Sequence, residues 1–139
     1  MNNKIESRPR HVAREFSVQF LYQCESEKIH HFPEAQFVDF CSHHDLDAKV
    51  SKAMRSLVKG TFDNIASIDE KITSISNNWS IDRMAATDRN VLRLATYEIL
   101  ESNVSNDVVL NEAVELAKKF GTNESGRFVN GILDKIAKG

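Results

Sequence analysis

"IASIDEKITSISNNW", residues 65–79, places isoleucine at 65, 68, 72 and 75 and tryptophan at 79. Spacings of three and four follow the turn of an α-helix, so these side chains share one apolar stripe while the polar residues between them face away. The same rhythm returns in "FVNGILDKI", residues 128–136, through Phe128, Val129, Ile132, Leu133 and Ile136. Strands would need strict alternation of apolar and polar residues, and the chain lacks it. Helix breakers are scarce as well, with neither glycine nor proline between Gly60 and Gly121. The expected fold class is therefore all-α. Pro9 suits a first helical turn, Pro33 starts a second helix, Ser67 with Glu70 makes a capping box, and Gly121 after Lys118 and Lys119 is a C-terminal stop. Seven helices follow, near residues 8–25, 33–44, 47–64, 67–78, 84–102, 107–120 and 124–137. Trp79 is expected to close the buried stripe of the fourth.

At 139 residues and 41% hydrophobic residues the chain fits one domain, or two small halves sharing a core. Its longest apolar run is three residues, too short to span a bilayer or to serve as a signal peptide, so a cytoplasmic protein is expected. Two cysteines, Cys24 and Cys41, suit a reducing compartment and read as buried thiols. The formal net charge is −2, but Lys4, Arg8, Arg10 and Arg14 against Glu6 put +3 on residues 1–14 and leave −5 elsewhere. A basic arm precedes an acidic body.

That arm runs into "SRPRHVAREFSVQFLYQ", residues 7–23. On a helical wheel of about 100° per residue with Arg10 at the origin, Val12, Ala13, Phe16, Phe20 and Cys24 cover roughly 200° to 320°, a sufficient core face. Arg10, Arg14 and Ser17 form a separate stripe with Leu21 among the arginines, and His11, Val18 and Tyr22 cluster beside it. Guanidinium groups one turn apart can each grip a phosphate with two hydrogen bonds. A helix N-terminus disfavours positive charge, which argues against a merely solvated basic end. Acidic protein and single-stranded nucleic acid are the candidate ligands; the second also needs aromatic surface for stacking.

His30–His31 and His43–His44, with Cys41 nearby, lack the two well-spaced ligand pairs of a structural zinc site and read as loop histidines, so no metal is expected. Asp88 shares a helical face with Val91, Ala95 and Ile99; it is either an N-cap or a carboxylate at the edge of a protein-binding surface. No nucleophile or second carboxylate accompanies it, which excludes a catalytic pair and points away from an enzyme. Around the glycine-punctuated turn in "KKFGTNESGRF", residues 118–128, stand Lys118, Lys119, Phe120, Arg127 and Phe128. Either phenylalanine could be core or a stacking platform. Gly126 and Gly131 suggest close backbone approach. The glycines lack the spacing and preceding strand of a nucleotide site, so no cofactor is expected.

"SVQFLYQ", "DRNVLRLATYEI", "LNEAVELAKKFG" and "FVNGILDKI" stand in the order and spacing of the NusB family of bacterial transcription antitermination factors, and the resemblance covers nearly the whole chain. It implies an all-α fold of two packed helical bundles, here about residues 1–66 and 67–139 of a single NusB-like domain. It also implies pairing with the ribosomal protein NusE and binding of the boxA segment of nascent ribosomal RNA leader. The pair would act within an RNA polymerase antitermination complex with other Nus factors, promoting read-through in ribosomal RNA operons. By position, the resemblance puts Arg10, His11 and Arg14 in the RNA-binding motif and the stretch from Glu124 to Phe128, with Arg127, beside the RNA path; Arg8 and Lys118 join them as candidate RNA contacts on their own charge. Tyr22 and Asp88 fall at the NusE interface, with Val18 on the same side as Tyr22. The arginine motif is thinner than in many relatives, because His11 and Val12 interrupt it, and an imidazole carries its charge only on the acid side. The rival reading is a helical accessory subunit of a ribosomal RNA methyltransferase; with no cofactor-binding region before Gly139, it would need a separate catalytic partner.

Overall fold

The computed structural model describes residues 3–77 and 79–139, with side chains from Arg8 onward. Among these residues there are seven α-helices and no strand: α1 (Asn3–Ser26), α2 (Glu34–His43), α3 (Ala48–Asp63), α4 (Ile65–Ser76), α5 (Ala86–Glu101), α6 (Asn106–Phe120) and α7 (Ser125–Lys138), with a short 3-10 turn at Ile81–Arg83 before α5. The chain divides into two compact units, residues 1–63 and 64–139. No helix among the described residues is long and apolar enough to cross a membrane.

Several boundaries depart from the sequence reading, each for a local reason. Pro9 does not open α1 but lies inside it, so its missing N–H falls in the ladder instead of among the free donors of a first turn. The Ser67–Glu70 capping box does not form. Asn64 is the sole residue between α3 and α4, which puts Ser67 within the first turn, where its Oγ donates to the Asn64 carbonyl. Trp79 leaves the α4 stripe because that helix ends at Ser76, with Asn77 at φ 57° and ψ −102° turning the chain off the helical path. His43 is helical, ending α2, and the His44 ring packs 4.3 Å from that of Phe40. Gly121 does follow α6 as expected, its N–H bonded to the Ala117 carbonyl at 2.8 Å.

In the first unit α1 packs along α3, and an aromatic cluster fills the space toward α2. Phe20 is fully buried, with ring centroids 5.7 Å from Phe37 and 5.1 Å from Phe40, both edge-to-face. The Arg55 guanidinium lies 4.8 Å from the Phe37 ring and is held there by a two-pronged pair with Glu34, which lowers the Glu34 carboxyl below its ordinary range. Burial, and secondarily the charge of Glu27, pushes the Cys24 thiol up to about 12. Only thiolate reacts, so native Cys24 should resist a thiol reagent such as Ellman's at neutral pH, Cys41 at 8% exposure is shielded from it by burial, and both should react after denaturation. Rapid labelling of the folded protein would contradict their burial.

The second unit packs α5 against α4, α6 and α7, with Ile72, Leu92, Val129 and Leu133 fully buried. Arg93 fixes α5 to α4 through two 2.8 Å bonds to the carboxylate of Asp69. Arg89 closes the approach to α5, donating to the carbonyls of Met84 at 2.7 Å and Ile81 at 3.1 Å.

Candidate nucleic-acid and partner interfaces

The buried arc of α1 is not where apolar periodicity placed it. Ala13, Arg14, Ser17, Val18, Phe20, Leu21 and Cys24 are all buried, an arc from roughly 280° through the origin to 80° on the same wheel. Three expectations are corrected by this. Arg14, at 3% exposure, is enclosed and engaged by other groups, so it does not stand with Arg10 on an open phosphate-gripping stripe. Val18, at 2%, belongs to the interior and offers nothing to a partner, and Leu21, at 6%, does not project among solvated arginines. The signal for this was present in the helix: Val18 and Leu21 lie within about 60° of each other and flank Arg14, so an arc centred there is as apolar as the one chosen.

What α1 leaves to solvent is a narrower face carrying Arg8, His11 and Tyr22, with half-buried Glu15 between them at about 140° on the wheel, while half-buried Arg10 lies at the origin, on the buried side of the helix. Arg10 and His11 each engage a neighbouring group. Tyr22 is 46% exposed and about 16 Å from His11 along the axis, at 1.5 Å per residue. One helix face thus has a basic front and an aromatic rear.

Asp88 is in the first turn of α5, where Ala85 is the N-cap, so the capping reading of Asp88 is overturned. It is 9% exposed, and its Oδ1 has no hydrogen-bond partner among the described residues. The N-terminal end of α5 favours its negative charge.

The remaining residues meet at the turn between α6 and α7. Gly121 and Ser125 build that turn: Ser125 Oγ accepts from the Thr122 N–H at 2.9 Å, and a Cβ at Gly121 would collide with that oxygen. Gly126 is buried against Lys118, whose Cγ would stand 3.2 Å from an added Cβ, so the lysine stem runs across the backbone of α7 while its residue stays exposed. Gly131 has open space instead of the expected close approach. Glu124 and Arg127 are exposed, Phe128 is half-buried, and Phe120 is half-buried with the Lys119 ammonium 5.8 Å from its ring. Against Phe128 stands Trp79, 53% exposed, with ring centroids 6.2 Å apart at 70°. Sequence reasoning assigned Trp79 to the core; the preceding Asn77–Asn78 pair was the sign that the helix stops short of it. No cluster of three or more metal-ligating side chains occurs among the described residues.

The sequence model of the NusB family matches residues 11–138. Transcription antitermination protein NusB of Anaeromyxobacter dehalogenans (strain 2CP-1 / ATCC BAA-258) is 44% identical over 129 residues, covering 91% of this chain and 89% of its own. Among solved structures, T. maritima NusB superimposes with a TM-score of 0.80 at 36% identity, covering 93% of this chain and 90% of that one. A chain from a crystal structure of antitermination factors NusB and NusE in complex with double-stranded RNA gives a TM-score of 0.83 at 29% identity, covering 94% and 97%.

Proposed function

The chain belongs to the NusB family, and from that premise we propose that it is an RNA-binding transcription antitermination factor of the cytoplasm. It pairs with the ribosomal protein NusE, and the pair binds the boxA segment of nascent ribosomal RNA within an RNA polymerase complex containing other Nus factors. Its work is recognition, not catalysis. The observation that carries this reading is the division of the exposed face of α1 into a basic front, Arg8 and His11, and an aromatic rear at Tyr22. A related protein crystallised with both NusE and RNA lends it support.

Phosphate contacts give affinity and fast encounter but no sequence information, so boxA recognition needs bases held against protein groups. A few cations on α1 cannot do this alone. NusE docked at Tyr22 would add a second set of contacts to the same RNA and raise affinity through effective concentration. The test is a closed cycle: RNA titrated into the protein with and without NusE, and NusE titrated with and without RNA. Linkage requires the same enhancement on both pairs of legs. Equal RNA affinity with and without NusE would remove the mechanism.

The basic front makes its own prediction. Each phosphate neutralised on a single strand contributes about 0.7 to the slope of log affinity against log salt, so the Arg8→Ala, Arg10→Ala double variant should lose about 1.4 from that slope. Fluorescence anisotropy on a boxA-like RNA measures it, and an unchanged slope would move the phosphate contacts elsewhere. Arg14→Ala is a poor probe of the same idea, because removing an enclosed guanidinium disturbs packing first.

A further inference from the structure

The exposed indole of Trp79 has no part in the core, and the ring contact described for it is with Phe128. Its backbone is clamped in both directions by one residue: Trp79 N–H donates to the Ser76 carbonyl at 3.2 Å, and Ser76 Oγ donates to the Trp79 carbonyl at 2.7 Å. Phe128 braces the ring edge-to-face from α7. A large apolar ring held this firmly yet 53% exposed costs solvation and gains little from packing. Exposed cations stand on the same two elements: Arg127 precedes Phe128 on α7 and Arg83 follows Trp79 in the 3-10 turn, with Asp82 and Glu124 as the opposing charges, whereas Lys118 packs at Gly126, about 200° around α7 from Phe128.

We infer that Trp79, buttressed by Phe128, is a stacking platform for a nucleobase of single-stranded RNA. The inference rests on the RNA-binding reading above and adds a base-holding residue to it. An aromatic face accepts any base because every base has a π-face, and neighbouring cations take up the flanking phosphates. Bases locked in a duplex cannot reach such a platform, so it selects unpaired RNA. Trp79 and Phe128 do not sandwich a base between them, since their rings are inclined at 70°; Phe128 fixes the indole, and the base stacks on what remains open.

Trp79 is the chain's single tryptophan, so its emission reports this site alone. Titrating the intact protein with unlabelled single-stranded boxA-like RNA should quench that emission, whereas a duplex of the same sequence should quench it less. In anisotropy with labelled single strand, Trp79→Leu, which keeps an apolar side chain against Phe128 but has no π-face, should weaken binding about fivefold or more, and Trp79→Phe should keep most of it. Circular dichroism checks the fold of both variants; if the leucine variant does not fold, quenching of the wild type decides. Tight RNA binding with unchanged emission, or with equal affinity in Trp79→Leu, overturns the platform and leaves the proposed function standing. Quenching by NusE alone with no further change on adding RNA also overturns it, by making the patch a protein interface. Failure to bind RNA with or without NusE would bring down the functional reading itself, and the platform with it.

Discussion

Phe20→Ala is expected to lower stability by about 3–5 kcal/mol, the cost of emptying a buried phenylalanine site whose walls relax only in part. Small domains have about 5–15 kcal/mol in total, so this single change removes a large fraction of the folded population's margin. The reason lies in geometry: Phe20 is wholly enclosed, and its ring is the common neighbour of Phe37 and Phe40. Truncation therefore forfeits two edge-to-face contacts as well as the buried area. Phe20→Leu, which keeps most of the volume, should lose clearly less. Urea unfolding followed by circular dichroism gives both values. An alanine variant with the wild-type midpoint would mean that this aromatic cluster does not hold the first unit together.

Tyr22→Ala should weaken NusE binding by about thirtyfold, the roughly 2 kcal/mol that marks an interface hot spot. Tyrosine suits such a position because it offers a large, stiff ring with a hydroxyl tip at low entropic cost. At 46% exposure the side chain contributes little to the interior, so the melting temperature should hardly change. RNA binding in the absence of NusE should also hold, because Tyr22 sits about 16 Å along α1 from His11. Tyr22→Phe separates ring from hydroxyl. Calorimetry showing wild-type NusE affinity for the alanine variant would place the partner on another surface, and the cooperative mechanism would have to be rebuilt from there.

The helical class was legible because periodicity is a local property. Ile68 and Ile72 in α4, and Val129, Ile132, Leu133 and Ile136 in α7, are buried as their spacing requires. The stop at Gly121 was legible too, since a glycine after two lysines is a signal contained within a few residues. Errors arose where a residue type fitted more than one position. Ser67 and Glu70 have the spacing of a capping box, yet the near-continuity of α3 and α4 takes their turn inside the helix. Asp88 can cap a helix, but α5 begins two residues before it.

Sequence by itself determined that this chain is helical, where most of its helices lie, and which family patterns it carries, because these depend on residue types at fixed short spacings. Tertiary structure alone decided which face of α1 is buried. An amphipathic helix with apolar residues on more than half its circumference has several admissible core faces, and neighbouring helices choose among them by packing. That choice enclosed Arg14 and Val18 and left Arg8, His11 and Tyr22 to solvent. It also set Trp79 beside Phe128, two residues 49 positions apart whose meeting no local pattern encodes.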